Sequence, residues 1–546
     1  MSTFNWQNPY PTVRMPVLAR NVVSTSHPLA AQAGLRAIWQ GGNAVDATIA
    51  AAAVMTLVEP VSNGLGGDAF ALVWDGKKLH GLNASGFAPA AWNVDYFKKK
   101  YGEASNGIAA QPKRGCDSVT VPGVVAGWEA LHARFGSLPF ADLMATAIEV
   151  AERGHAIAPI VAHKWAAAVP ELKDQPGYAA TFMPHGRAPT AGEFVQLPGH
   201  ARTLKMLAKE GPRAFYEGEI AERIAAFFKE CGGAMTVEDL RGFKAEWVEP
   251  IEKDYRGYSV HEIPPSGQGI AALIALGILD KFNLSEMPLD SAASQHLQIE
   301  AMKLAFADVY RYVADPRSMD VTPEQMLDDA YLSARAKLID PEKATHFDFG
   351  MPRAGGTIYL SAADEKGMMV SFIQSNYMGF GSGVVVPDYG ISLQNRGFGF
   401  SMDPRSPNVV AGGKRPFHTI IPAFLTRRVN GRHEPVMSFG VMGGDMQPQG
   451  HVQTVVRMLD YRQQPQAACD APRWKVNRDF SLDVEAAMNT AAVDGLKARG
   501  HQLKSVEDPY MDFGSGQFIW RLDGESLEHG YVAASDSRRD GLAAGF

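Results

Sequence analysis

The run Gly355-Gly356-Thr357-Ile358-Tyr359-Leu360-Ser361 constrains this chain more tightly than any other stretch. From Thr357 the residues alternate, with Thr357, Tyr359 and Ser361 on one face and Ile358, Leu360 and Ala362 on the other, which predicts a strand. A turn at Asp364-Glu365-Lys366-Gly367 and a second strand, Met369–Ile373, complete a β-hairpin, and a glycine-rich run, Met378-Gly379-Phe380-Gly381-Ser382-Gly383, follows it. Residues 341–356, ahead of the threonine, mix Pro, Gly and charge without period, which reads as an adaptable leader.

A flexible leader, a threonine and a hairpin are what a self-cleaving N-terminal nucleophile needs. A threonine hydroxyl is a weak nucleophile at neutral pH, and a free α-amine with a pKa of about 8 supplies the missing base. Attack of the Thr357 hydroxyl on the Gly356 carbonyl would turn that amide into an ester, whose hydrolysis frees the amine, and upstream glycines accommodate the backbone this requires. An ordinary Gly-Gly turn entering a hairpin is the commoner use of such residues. The stretch by itself leaves both readings open.

The remainder of the chain narrows the choice. Asn21–Thr25 reads as a strand, and His27–Gln40 as a helix stopped at Gly41-Gly42. Asn43 can cap a second helix, Ala44–Leu57, whose alanine-rich faces suit burial between layers. The cluster Ser62-Asn63-Gly64-Leu65-Gly66-Gly67-Asp68 leads into a strand, Ala69–Trp74; it lacks the residues of a phosphate loop and reads as a tight turn between closely packed elements. A strand follows at Leu79–Asn83, and Ser118-Val119-Thr120-Val121-Pro122-Gly123 leads into an amphipathic helix through Trp128 and Leu131. Residues 136–340 are mostly helical by period, as in Phe140–Arg153, Ile220–Cys231 and Ala292–Ala314. Beyond 357 the chain turns strand-rich, with candidates at Val384–Val386, Ile391–Leu393, Thr419–Phe424, Val436–Phe439 and Phe518–Trp520. Strands contributed from both parts suggest one α/β body with a central pair of sheets.

Bulk properties exclude several classes. A net charge of −7 without a basic block argues against a nucleic-acid surface and a polybasic membrane contact. Cys116, Cys231 and Cys469 are odd in number and far apart, which disfavours a disulfide framework and a cysteine-rich zinc site. The 15 histidines are scattered without a His-Glu-x-x-His run, so no metal and no cofactor are expected. No serine has glycines at both positions of a Gly-x-Ser-x-Gly elbow. The longest apolar run, Ala44–Val58, is short for a membrane span and carries Asp46, and no secretory signal is visible, so the expected location is the cytoplasm.

Taken together, Ser26-His27-Pro28-Leu29-Ala30, Gly41-Gly42-Asn43-Ala44-Val45-Asp46-Ala47, Glu59-Pro60 with Gly64-Leu65-Gly66-Gly67, Val121-Pro122-Gly123, Gly443-Gly444, Ala471-Pro472-Arg473 and the C-terminal Ala534–Phe546 segment resemble the gamma-glutamyltransferase family of N-terminal-nucleophile hydrolases. The resemblance runs nearly end to end and puts Thr357 at the nucleophile. It implies an α/β four-layer αββα sandwich, made as one precursor and cut into a large chain, 1–356, and a small chain, 357–546, that stay together as one intertwined catalytic domain; such pairs can dimerise. By position, Ser375 corresponds to the hydroxyl that bonds the nucleophile, and Gly443 and Gly444 to the backbone donors of the oxyanion hole.

The departures bear on substrate. Where the family carries an arginine for the substrate α-carboxylate, in an Asp-x-Arg-Glu-x-Ala-Pro stretch, this chain has Ser85 within Asn83-Ala84-Ser85-Gly86-Phe87-Ala88-Pro89. The acidic residue for the α-amine is replaced by Gly399, the adjacent serines map to His418-Thr419, and a neighbouring asparagine maps to Tyr377. A serine does not replace a bidentate clamp, and charge-assisted bonds contribute roughly 1.5–3 kcal/mol each, so glutathione chemistry is disfavoured. Arg396, beside Asn395, can hold a carboxylate from another direction or bond loop carbonyls, and Tyr377, His418 and Thr419 can shape the pocket. The pattern is similar to a branch that includes oxamate amidohydrolases and cephalosporin acylases, which implies hydrolysis of a small or acyl amide bearing a carboxylate. A gamma-glutamyltransferase with a rearranged glutamate site and an uncleaved binding protein are the alternatives.

Overall fold

Two antiparallel sheets of seven strands each lie face to face in the computed structural model, which describes residues 9–11, 14–345, 356–507, 510, 513–522 and 527–546. The first sheet runs Val17–Ala19, Tyr531–Ser535, Ser515–Arg521, Arg432–Met442, Ala423–Val429, Tyr258–Glu262 and Ile251–Tyr255 from edge to edge. The second runs Leu542–Gly545, Val22–Thr25, Gly356–Ala363, Met369–Tyr377, Asp68–Trp74, Leu79–Ala84 and Glu246–Val248. Each sheet therefore takes strands from both sides of residue 357. The expected cleavage leader falls largely on residues 346–355, outside the described residues.

The alternation at Thr357 sorts side chains between layers. Tyr359 turns into the apolar layer between the sheets with Phe70, Leu72, Ile263 and Phe424. Ile358, Leu360 and Ala362 face the other way, into the layer shared with the helices Pro28–Trp39 and Ala44–Val58. The first sheet is backed by Ile270–Leu279, Ala292–Tyr312 and Met446–Leu459. Three apolar layers between four structural ones make the αββα sandwich.

Local chemistry starts and stops the covering helices. His27 precedes Pro28 and accepts from the Leu29 N–H through Nδ1 at 3.3 Å, an N-cap followed by proline in the first turn. Asn43 and Asp46 form a capping box, so the one charge in an apolar run sits where helix-start N–H groups require an acceptor. Every residue of Ala44–Val58 is buried, and its alanines let sheet and helices approach closely. Among the described residues all three cysteines are free thiols, and no helix is long and apolar enough to cross a membrane.

Several strands begin or end a few residues from the expected positions, as Arg432–Met442 and Ser515–Arg521 do, and two such differences lie beside the site. The second hairpin strand continues past Ile373 to Tyr377 and carries Ser375 with it. The strand expected at Thr419–Phe424 begins instead at Ala423, because Pro422 has no N–H for the ladder and the backbone before it bonds elsewhere: His418 N–H to the Ser266 carbonyl, Ile421 N–H to Gln447 Oε1.

Candidate active site

Thr357 stands at a β-bulge. Gly356 pairs with Tyr377 and Ile358 with Gln374, so Ser375 and Asn376 together oppose the single residue Thr357. The Thr357 hydroxyl, 2% exposed, donates to Ser375 Oγ at 3.2 Å and accepts from Gln447 Nε2 at 3.3 Å. Ser375 Oγ also accepts from the Tyr377 N–H at 2.8 Å. Just past the bulge, Tyr377 takes φ 74°, a left-handed conformation that non-glycine residues seldom adopt.

Gln447 comes from the first turn of Met446–Leu459, directly after the glycine pair. The Arg432–Met442 strand passes into Gly443 and Gly444 with φ 128° and 60°, and a Cβ on Gly443 would lie 2.9 Å from Gly514 Cα. Only glycine turns there without strain and collision. The Gly444 carbonyl accepts from Gln268 Nε2 at 2.9 Å, and the same amide reaches the Thr419 carbonyl at 2.6 Å. The glycine turn is thereby tied to the His418-Thr419 segment.

Asp68 is the hub of a second, buried group of side chains next to this one. Its Oδ2 accepts from Arg396 Nε at 3.2 Å and His418 Nε2 at 3.1 Å, and Oδ1 from the Gly86 N–H at 3.3 Å. All three side chains are fully buried. The Ile420 N–H points at His418 Nδ1 at 3.4 Å, which leaves Nε2 as the protonated nitrogen donating to Asp68. Burial first, and the Arg396 charge second, push the imidazole down to about 4, so it is neutral at pH 7. Arg396 Nη1 donates to Thr419 Oγ1 at 2.9 Å, its guanidinium stacks over the Tyr377 ring, and its Nη2 has no protein partner among the described residues.

Most of the expected site residues thus meet in one network: Thr357, Ser375, Tyr377, Arg396, His418 and Thr419. Asn395 lies beside it but spends both ends of its amide on backbone, accepting from the Met378 N–H and donating to the Lys113 carbonyl. Ser85 is buried with no side-chain partner among the described residues, and its carbonyl accepts from Arg415 Nε at 2.9 Å. Arg415 bonds Glu246 through Nη1, and its Nη2 has no partner among the described residues.

Asp68, Gln447, Gln268 and Arg415 are the residues that sequence reasoning missed. Asp68 closes the glycine cluster read as a tight turn, and close packing is what those glycines provide: a Cβ at Gly67 would lie 2.6 Å from the Ser375 carbonyl. An acid between a glycine cluster and an apolar strand was the available signal. Gln447, three residues beyond the glycine pair, carried none.

A family model described as gamma-glutamyltranspeptidase matches residues 30–546. The chain is 36% identical over 533 residues to an oxamate amidohydrolase proenzyme of Klebsiella pneumoniae, covering 95% of this chain and 97% of the relative. It is 35% identical to a glutathione hydrolase-like YwrD proenzyme of Bacillus subtilis, covering 96% and 98% of the two chains. A crystal structure of a cephalosporin acylase from Bacillus halodurans superposes with a TM-score of 0.92 at 46% identity, covering 99% of this chain and 98% of that one.

Proposed function

Because the chain belongs to the gamma-glutamyltranspeptidase family of N-terminal-nucleophile hydrolases, we propose that Thr357 first cuts its own precursor and then hydrolyses an amide of a small, carboxylate-bearing acid. In the first stage the Thr357 hydroxyl adds to the Gly356 carbonyl, the C–N bond breaks, and water hydrolyses the resulting ester. Residue 356 then ends in a carboxylate and residue 357 begins with an amine. The products are chains of 356 and 546 − 356 = 190 residues, interleaved in both sheets and so expected to remain together.

In the second stage the amine removes the hydroxyl proton as Oγ1 attacks the substrate carbonyl. Ser375 and Gln447 hold Oγ1 from two sides. The N–H groups of Gly443 and Gly444 are assigned to the oxyanion. The substrate nitrogen leaves with the proton, and water releases the acid from Thr357.

The observation that carries the substrate class is Arg396. Asp68 engages Nε and Thr419 engages Nη1, leaving Nη2 as a buried donor without a protein partner. An unpaired buried donor costs about 1–3 kcal/mol, which a substrate carboxylate would recover through a charge-assisted bond. Arg396 is one ring removed from the nucleophile, since Tyr377 lies under the guanidinium and bonds Ser375 through its N–H. The relatives named for oxamate amidohydrolase and cephalosporin acylase support an acid amide of this kind. A second reading, a gamma-glutamyltransferase with a rearranged glutamate site, draws on Arg415, whose open Nη2 belongs to a guanidinium held at Ser85.

The test is intact-mass spectrometry of the protein beside Thr357→Ala, followed by turnover of oxamate, short dicarboxylic monoamides, acyl amides and a gamma-glutamyl anilide. Two masses split at Gly356/Thr357 in the wild type alone, with hydrolysis of carboxylate amides, are expected. Preferential turnover of the anilide would favour the second reading, and a single full-length mass in both proteins would leave an uncleaved binding protein.

A further inference from the structure

At the far end of the sandwich from Thr357, a cleft of about 1180 Å³ opens among the strand ends and the turns at Gly76–Lys78 and Lys366-Gly367. The Gly356–Ala363 strand has the nucleophile at one end and the second of these turns beyond the other, about 20 Å away at roughly 3.4 Å per residue. Glu252, His261, Thr426 and His433 all line this cleft, one from each of four consecutive strands of the first sheet.

Their geometry is that of a ligand set. Glu252 and His261 are directly paired across neighbouring strands, and Glu252 Oε2 lies 3.3 Å from His261 Nδ1 and 3.6 Å from His433 Nε2. The three candidate donor atoms all fall within 4.8 Å of one another. Ligands on one tetrahedral ion with metal–ligand bonds of about 2.0–2.2 Å are separated by about 3.3–3.6 Å, so the two Glu252 spacings already match, and the third, between the imidazoles, is no more than 4.8 Å.

The outer nitrogen of each imidazole is held as well. His261 Nε2 and His433 Nδ1 both lie on Thr426 Oγ1, at 2.8 and 2.7 Å. A hydroxyl oxygen has two lone pairs and can accept both N–H bonds, a state that leaves His261 Nδ1 and His433 Nε2 as bare lone pairs turned towards Glu252. Orientation of metal-binding imidazoles by hydrogen bonds from their other nitrogens is the rule in such sites. Arg428 occupies only the other carboxylate oxygen, Oε1, at 2.6 Å. His261 is nearly buried, while Glu252 and His433 are about one third exposed, which admits solvent as a further ligand.

We propose that Glu252, His261 and His433 bind one divalent transition-metal ion of the zinc class, with Thr426 as the positioning residue. The ion would clip four strands together at the end of the sandwich remote from catalysis. The test titrates cobalt(II), as a spectroscopic stand-in for zinc, into tag-free protein cleared of metal with a chelator, alongside His433→Gln, Glu252→Gln and Thr426→Val. His433 is partly exposed, so its replacement leaves the core intact. Expected are ligand-field bands of one low-symmetry cobalt per chain, displaced by zinc, and a higher Tm with zinc. Affinity should fall by more than roughly tenfold in the two ligand variants and by about tenfold in Thr426→Val, with unchanged amide turnover. Absence of the bands in the wild type, or equal affinity in wild type and His433→Gln, would overturn the site and leave a hydrogen-bonded His-Thr-His chain.

Discussion

The Arg396 guanidinium lies over the Tyr377 ring, 4.2 Å from its centroid, and so joins the expected carboxylate clamp to the bulge opposite Thr357, the proposed nucleophile. The ring carries the charge, and the backbone of the same residue bonds Ser375. Arg396→Lys keeps the charge but loses the stacked plane and the second N–H fork. With one charge-assisted bond worth roughly 1.5–3 kcal/mol, KM for a carboxylate amide should rise about 10- to 150-fold, with self-cleavage retained. Equal KM values in steady-state assays would remove Arg396 from substrate binding.

Gln447 is expected to act on the nucleophile itself. Gln447→Leu keeps similar volume but removes the donor to Thr357 Oγ1 and the acceptor of the Ile421 N–H. A fall in kcat of about 10- to 100-fold with little change in KM is expected, together with about 1–3 kcal/mol of lost stability from the stranded N–H. Gln447→Glu restores the acceptor alone, so urea unfolding should show recovered stability while kcat stays low. Normal kcat in both variants would make Gln447 a packing residue.

Gly443→Ala should damage both stages. Its φ of 128° is strained for alanine, and the added Cβ would meet Gly514 Cα at 2.9 Å. The strain costs on the order of 1–3 kcal/mol, and displacement of an oxyanion donor costs about a hundredfold in rate or more. Slow precursor cleavage on a gel, and slow turnover by whatever fraction is cleaved, are the expected readings; wild-type rates in both assays would put the oxyanion hole elsewhere.

His418 should remain neutral well into acid. Its folded value is pushed down to about 4 from the ordinary 6.5, chiefly by burial and then by the Arg396 charge. Between those values the unfolded chain binds a proton that the folded protein refuses. The group's contribution to stability is therefore complete above pH 6.5 and declines as pH falls towards 4, by up to about 1.4 kcal/mol per pH unit. Its imidazole resonance in an NMR titration should stay constant from neutral pH down to about 5; a midpoint near the ordinary histidine value would contradict the buried, Asp68-bonded placement.

Much of the architecture is legible in local pattern. The alternation from Thr357 to Ala362 matches the two faces of a sheet between apolar layers, and Phe140–Arg153 is a helix with the expected ends. Asn43 caps the helix assigned to it, with Asp46 completing the box. Less legible are elements whose ends depend on distant partners, as at Pro422, where the 418–421 backbone bonds Ser266 and Gln447 rather than a neighbouring strand.

What the sequence determined by itself is therefore the hairpin at Thr357, the capped helices and one α/β body with a pair of sheets, because periodicity, caps and turn chemistry act between residues a few positions apart, while its motifs taken together carried the resemblance to the family and, through it, the layer order. The site's charge balance was decided only by tertiary structure. Asp68 meets Arg396 across 328 positions, and Gln447 meets Thr357 across 90. His261 and His433, 433 − 261 = 172 positions apart, converge on one threonine hydroxyl through the order of four strands. Such pairings depend on sheet register and on which faces are pressed together, quantities set by the packing of the whole chain and carried by no local run of residues.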